Sequence, residues 1–185
     1  MIDLRIKGLP NTITVDGKSF FIKTDFREWL KIGELLKDKE TKITDIAYVV
    51  EDISLLDLIK NQDAFKNAII DFYLNENATP HGISESSTPI LDYIQDGEYI
   101  VGSFMQAYGI DLTSCDMHWH LFKALFLSLP EETKIQKIMS IRGYRKTSKS
   151  YESQCEELKR SWSLDVDHTH DEELMSEIND EFYNA

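Results

Sequence analysis

His118 and His120 bracket Trp119 at positions i and i+2. In a strand two such imidazoles would share a face and could grip one metal ion. On a helix they point about 200° apart and cannot. The surrounding residues have helical periodicity, so no metal site is expected here. One imidazole should bond locally and the other face solvent. A second pair, His168 and His170, lies among Asp165, Asp167 and Asp171. An EF-hand loop opening at Asp165 needs Gly at its sixth position and Glu at its twelfth. The chain has His170 and Ser176 there, so the motif fails and a solvated acidic segment is expected. Asp92 and Asp96 have the i,i+4 spacing of carboxylates on one helix face, with Glu98 close behind. No His, Arg or metal-ligating neighbour accompanies them in sequence. They therefore read as a solvated face rather than an acid–base pair. Cys115 and Cys155 are far apart with no CxxC, which fits two free thiols in a reducing compartment. No Walker A loop, GxGxxG, HExxH or GxSxG occurs. The expectation is no catalytic residue, no cofactor and no metal.

The elements that must position these side chains read as α+β and mostly helical, with a small N-terminal hairpin packed on a helical bundle. Asn11–Val15 and Lys18–Lys23 flank Asp16-Gly17, a type I′ turn signal because both central residues tolerate positive φ. A two-residue turn pairs Val15 with Lys18 and Ile13 with Phe20. Ile13, Val15, Phe20 and Ile22 then share one face, with Phe21 on the other. Residues 4–7 are a candidate third strand. Asp25 with Glu28 resembles a capping box, followed by Phe26, Trp29, Leu30 and Leu36 at helical spacing. Further helices are predicted near 43–59, with a possible break, and over 64–74. Residues 75–88 have loop composition and no periodicity, which makes them the expected site of mobility. Thr88-Pro89 looks like the start of a helix that runs to Tyr108 and stops at Gly109. Thr113 is the predicted cap of the next helix, which Pro130 ends. Pro130-Glu131-Glu132 opens another that closes at Arg142-Gly143, and a last helix spans about 150–161.

Composition bounds the function. The 185 residues allow one domain plus a tail, with 42% hydrophobic and 29% charged residues as in ordinary globular proteins. The reading is one domain over residues 1–164 and an acidic tail over 165–185. That tail holds eight of the 33 acidic residues and none of the 20 basic ones. It is read as mobile or partly helical, with Leu174, Met175, Ile178 and Phe182 on one face. The net charge of −13 argues against general nucleic-acid or anionic-membrane binding. No apolar run reaches the 18 or so residues of a membrane span, and the first residues lack a signal-peptide pattern.

Two stretches carry candidate contacts. Arg142, Tyr144, Arg145, Lys146, Lys149 and Tyr151 form a basic patch with aromatics. An acidic protein surface, or the chain's own tail, suits it better than nucleic acid. Residues 117–129 are apolar nearly all round, broken only by His118, His120, Lys123 and Ser128. Such a helix is central to the fold or has one face covered by a partner.

Three ordered runs then resemble a known family. They are Leu91-Asp92-Tyr93-Ile94-Gln95-Asp96-Gly97-Glu98-Tyr99-Ile100, Phe104-Met105-Gln106-Ala107-Tyr108-Gly109-Ile110-Asp111-Leu112 and Met117-His118-Trp119-His120-Leu121-Phe122-Lys123-Ala124-Leu125. Ile138-Met139-Ser140-Ile141-Arg142-Gly143-Tyr144 and Leu158-Lys159-Arg160-Ser161-Trp162-Ser163-Leu164 continue the match. Thr24-Asp25-Phe26-Arg27-Glu28-Trp29 looks like its opening. Together, over about residues 4–164, they resemble the tailed-phage proteins named for the product of gene fifteen. Many members carry Trp-Trp where this chain has Trp119-His120, so nothing is carried over to His120. The resemblance implies a non-enzymatic tail-assembly protein acting in the host bacterial cytoplasm, a chaperone for the tape-measure and tail-tube proteins. The alternative is a structural part of the tail retained in the virion. It implies no catalytic residue. Trp119, Phe122, Phe126 and Trp162 are the expected apolar partner contacts, with Arg142, Tyr144 and Arg145 the polar ones. Self-association remains open as a further contact; no nucleic acid or membrane partner is expected.

Overall fold

The hairpin forms as its turn chemistry dictates. In a computed structural model that describes residues 5–38, 40–74, 89–143 and 152–164, β1 (Thr12–Val15) pairs antiparallel with β2 (Lys18–Phe21). Asp16 and Gly17 take φ of 48° and 76°, the left-handed pair of a type I′ turn. Val15 opposes Lys18 and Ile13 opposes Phe20, the expected register. Ile13, Val15 and Ile22 are buried and Phe21 is exposed, so the expected face packs inward. Residues 5–8 are turn and bend rather than a third strand. Ile22 is instead bridged to Val50, farther along the chain.

Among the described residues eight helices follow the hairpin: α1 (Phe26–Leu35), α2 (Ile43–Ile46), α3 (Leu55–Lys60), α4 (Gln62–Leu74), α5 (Gly97–Tyr108), α6 (Trp119–Leu127), α7 (Lys134–Gly143) and α8 (Glu152–Ser161). The fold is α+β and mostly α. The Asp25 carboxylate accepts from the Arg27 N–H at 2.9 Å and so caps α1. The stretch over 43–59 is broken, as its composition allowed. A single 3₁₀ turn at Ala47–Val49 ends the first piece, and Ser54 caps α3 by accepting from the Asp57 N–H at 3.1 Å. Gly109 ends α5 in the left-handed conformation, φ 67°.

Three helix starts differ from the sequence reading, each because a side chain is claimed elsewhere. Helix α5 begins at Gly97, not at Pro89, since residues 93–96 form a turn whose Asp96 carboxylate points inward. Thr88 lies outside the described residues. Helix α6 begins at Trp119 with His118 as its cap. Thr113 is bound instead to Asp111, whose carboxylate takes its N–H at 2.9 Å and its hydroxyl at 2.6 Å. Helix α7 starts at Lys134, because the Thr133 hydroxyl donates back to the Pro130 carbonyl and closes a turn first. The predicted loop over 75–88 and the acidic tail also lie outside the described residues.

Helix α6 is central. Phe122 stacks on Phe26 of α1 with ring centroids 4.7 Å apart and on Phe104 of α5 at 5.4 Å. Trp119 stacks on Tyr73 of α4 at 5.3 Å. The Trp119, Phe122 and Phe126 side of the run therefore resolves as core, reached from three helices, while Leu121 and Leu127 stay exposed. The hairpin closes the other side, with Phe20 edge-on to Phe65 of α4 at 5.0 Å.

Candidate partner-binding surface

Trp119, Phe122 and Phe126, expected as partner contacts, are 2%, 1% and 5% exposed. They belong to the core, and the physical reason is the aromatic stack just described. The same helix supplies polar groups to a neighbour. The last carbonyls of a helix have no intrahelical donor. Those of α4 are met by the Trp119 indole N–H (3.0 Å to Tyr73), the Lys123 ammonium (2.9 Å to Tyr73) and His120 Nε2 (2.9 Å to Phe72). Burial lowers the Lys123 pKa in this position.

The histidines divide differently from expectation. His118 is bonded locally, its Nδ1 accepting from the His120 N–H at 3.0 Å while Nε2 lies 2.9 Å from the Pro10 carbonyl. His120 does not face solvent: it is 2% exposed and stacked on Phe72 at 4.3 Å. With Nε2–H on a carbonyl, its Nδ1 has no hydrogen-bond partner. Burial pushes its pKa down to about 4, against the pull of the Phe72 carbonyl, so the ring is neutral at pH 7. Burial also lowers His118. Both Nε2 atoms are committed to backbone carbonyls, which is no arrangement for a metal. Among the described residues, no group of three or more His, Cys, Asp or Glu side chains is placed to hold an ion. The pair His168 and His170 lies outside them.

Asp96 and Arg142 overturn two expectations at once. Asp96 is 1% exposed and Arg142 7%, and they form a bidentate pair, 2.6 Å from Nη1 to Oδ2 and 2.9 Å from Nη2 to Oδ1. Nη1 also donates to the Ile90 carbonyl at 3.2 Å, and Nε to the Trp162 carbonyl. Asp96 Oδ2 further accepts from the Asp92 N–H at 2.9 Å. Asp96 is thus no solvated carboxylate, and Arg142 is no surface contact. Its fork ties residues 90–96, α7 and the end of α8 together. Asp92 remains near the surface. Burial raises its pKa, but N–H bonds from Gln95 and Ile94, with Lys37 and Arg142 near, outweigh that and hold it low. Trp162 is half-buried, edge-on to Tyr99 at 5.6 Å and with the Lys134 ammonium 4.2 Å from its ring centre. Tyr144 and Arg145 lie outside the described residues.

Exposed apolar side chains lie at several places, among them Ile94 at 77%, Phe21 of β2 at 58% and Leu127 of α6 at 56%, and three of them cluster on α3, where the sequence reading named no contact. Leu55, Leu56 and Ile59 of α3 are 69%, 68% and 56% exposed, while Leu58 alone of that helix is buried. The available signal was local: a Ser54 cap followed by apolar residues at i, i+1 and i+4, with a single residue turned inward. A small cleft of about 160 Å³ also opens between α1 and α5, with Leu30, Tyr93, Ile100 and Phe122 in its wall. Phe122 forms part of that wall while staying in the core.

These features define a mostly helical α+β protein in which His118, His120 and the buried Asp96–Arg142 pair serve the fold. The family model for the Bacteriophage Gp15 protein matches residues 6–164, and the chain belongs to that family. It is a phage structural or assembly protein. Neither a curated protein nor a solved structure matches the chain. Among the described residues, no helix is long and apolar enough to cross a membrane.

Proposed function

We propose that the chain is a non-enzymatic chaperone of phage tail assembly, acting in the host cytoplasm, which keeps the tape-measure protein soluble and delivers it to the tail-tube protein. Family membership supports a place in phage assembly. The observation that carries the chaperone reading is the exposed aliphatic face of α3 on a chain of net charge −13. A reversible holder of apolar helical segments needs an apolar contact that its folded form leaves open. It also needs a charge that keeps it from clustering with itself. The described histidines, bonded to carbonyls and held neutral, offer no poised acid or base, which fits a binding role.

Co-expression with the neighbouring tape-measure and tail-tube proteins tests this, read by solubility and by light-scattering mass after size exclusion. The expected result is a tape measure that is soluble only in the presence of this chain and elutes with it. A chain that elutes alone, rescues nothing and appears at stoichiometric abundance in purified virions overturns the chaperone reading in favour of a structural tail part.

A further inference from the structure

Helix α3 wears its apolar side outward, and the charges around that side select what can cover it. Leu55, Leu56 and Ile59 fall on one side of the helix by their i, i+1, i+4 spacing, and all three are more than half exposed. The Lys18 ammonium reaches the Asp57 carboxylate at 3.8 Å, so α3 sits beside the turn end of the hairpin, with Asp57 on the side of the helix away from the patch, and these two charges offset one another. Glu51 and Asp52 before the helix and Asp63 after it are exposed, against one further base, exposed Lys60. The exposed charges that flank α3 in sequence are therefore mostly acidic.

The charge an occupant brings decides how well it suits such a face. A second copy would bring the same acidic flanks and a further −13 of charge. The chain's own residues 165–185 would bring eight acidic side chains and no basic one. Both are opposed by like-charge repulsion. A helix with an apolar stripe flanked by Lys or Arg meets the apolar patch and these acidic flanks together. From this we infer that α3 is a docking face for a basic-flanked amphipathic helix of a partner protein. Leu55, Leu56 and Ile59 make the apolar contact, and Glu51, Asp52 and Asp63 pair with the basic flank. The inference extends the chaperone reading by naming the chemistry of the segment it would hold.

The probe is a fluorescent synthetic helix with a leucine stripe edged by lysine, titrated into the full-length chain and read by anisotropy. The same peptide with glutamate for lysine serves as control. The lysine peptide should bind and the glutamate peptide should not. The doubly substituted Leu56→Ser, Ile59→Ser chain should lose about tenfold in affinity, and Glu51→Lys with Asp52→Asn, which keeps a residue that tolerates the φ of 54° there, should lose several-fold. Leu121→Ser, at a half-exposed site on α6, should change nothing. Because every substituted side chain is exposed, unfolding midpoints should stay where they are, which keeps a loss of binding from being a loss of fold. Failure of the lysine peptide to bind overturns the inference, as does binding that the α3 substitutions leave intact. So does a wild-type dimer that Leu56→Ser, Ile59→Ser turns into a monomer, or a gain in peptide affinity when residues 165–185 are removed, since these name the other occupants. The co-expression experiment separates the two readings. If the tape-measure complex survives the α3 substitutions, the docking inference falls while the chaperone reading stands. If no such complex forms but the peptide binds through α3, the chaperone reading falls and the docking face stands.

Discussion

At Arg142 the loss of a side chain is expected to cost most. Arg142→Ala would leave the Asp96 carboxylate buried with only the Asp92 N–H for company, and would free two carbonyls that the guanidinium now serves. Breaking one side of a buried pair costs about 3–5 kcal/mol. Replacing both sides, as in Asp96→Leu with Arg142→Met, should recover most of that, because desolvating two charges consumes much of their attraction. Urea denaturation of both single variants and the double variant checks this, and a double variant worse than either single would contradict it. His120 gives a second expectation, with a sign fixed by its lowered pKa. The folded ring titrates at about 4 and the unfolded one near 6.5. Between those values the unfolded chain binds the extra proton. The contribution is therefore full above pH 6.5 and is lost as pH falls to 4, about 3 kcal/mol in all. Protonating Nδ1 would bury an N–H with no acceptor, which is the structural form of that cost. His120→Gln should flatten the stability profile between pH 6.5 and 4 relative to wild type. Equal slopes for the two chains would show that the ring is free to protonate in place.

At the scale of elements, the sequence was legible wherever the cause is local. Asp16-Gly17, the Asp25 cap and the Gly109 stop all act through their own backbone, and each falls where it was read. The starts of α5 and α6 were not legible, because Asp96 answers to an arginine 46 residues away and His118 to a carbonyl 108 residues away. Nor does an apolar stretch announce which side is covered. The residues of α6 and those of α3 both read as apolar in one dimension, yet α6 buries Trp119, Phe122 and Phe126 and leaves Leu121 and Leu127 exposed, whereas α3 buries only Leu58. Trp119, Phe122 and Phe126 could be read as contacts for that reason, although all three are buried. Packing between elements also reverses a propensity rule at Gly33 of α1. Alanine should gain about 1 kcal/mol as the better helix former. A Cβ there would lie 2.5 Å from the Tyr73 hydroxyl oxygen, and Tyr73 is stacked on Trp119 and cannot swing freely. Overpacking costs about 1–3 kcal/mol, so Gly33→Ala should come out net destabilising. Trp119→Ala, which empties the middle of the same stack, should cost about 3–5 kcal/mol. Thermal and urea unfolding of both variants measures these, and a more stable Gly33→Ala chain would mean that α1 and α4 can slide apart at that point.

The molecule as a whole is an acidic body, and that charge should show in the rates of association more than in the strength of the final contact. Excess negative charge raises the local concentration of a basic-flanked helix and speeds encounter, while the contact that holds it, if Leu55, Leu56 and Ile59 supply it, is apolar and short-ranged. Salt at about 0.15 M screens charge beyond roughly 8 Å but leaves close apolar packing intact. Raising salt should therefore lower the association rate of the lysine-edged peptide steeply and change its dissociation rate little. Leu56→Ser with Ile59→Ser should do the reverse, speeding dissociation at an unchanged association rate. Stopped-flow anisotropy resolves both constants. The two effects should be nearly independent, since one acts through the field of the whole chain and the other through one short helix. A salt effect confined to dissociation would place the basic flank in tight pairs with Glu51, Asp52 and Asp63 rather than in the long-range field, and would make the acidic flanks of α3, not the total charge, the determinant of which partners are drawn in.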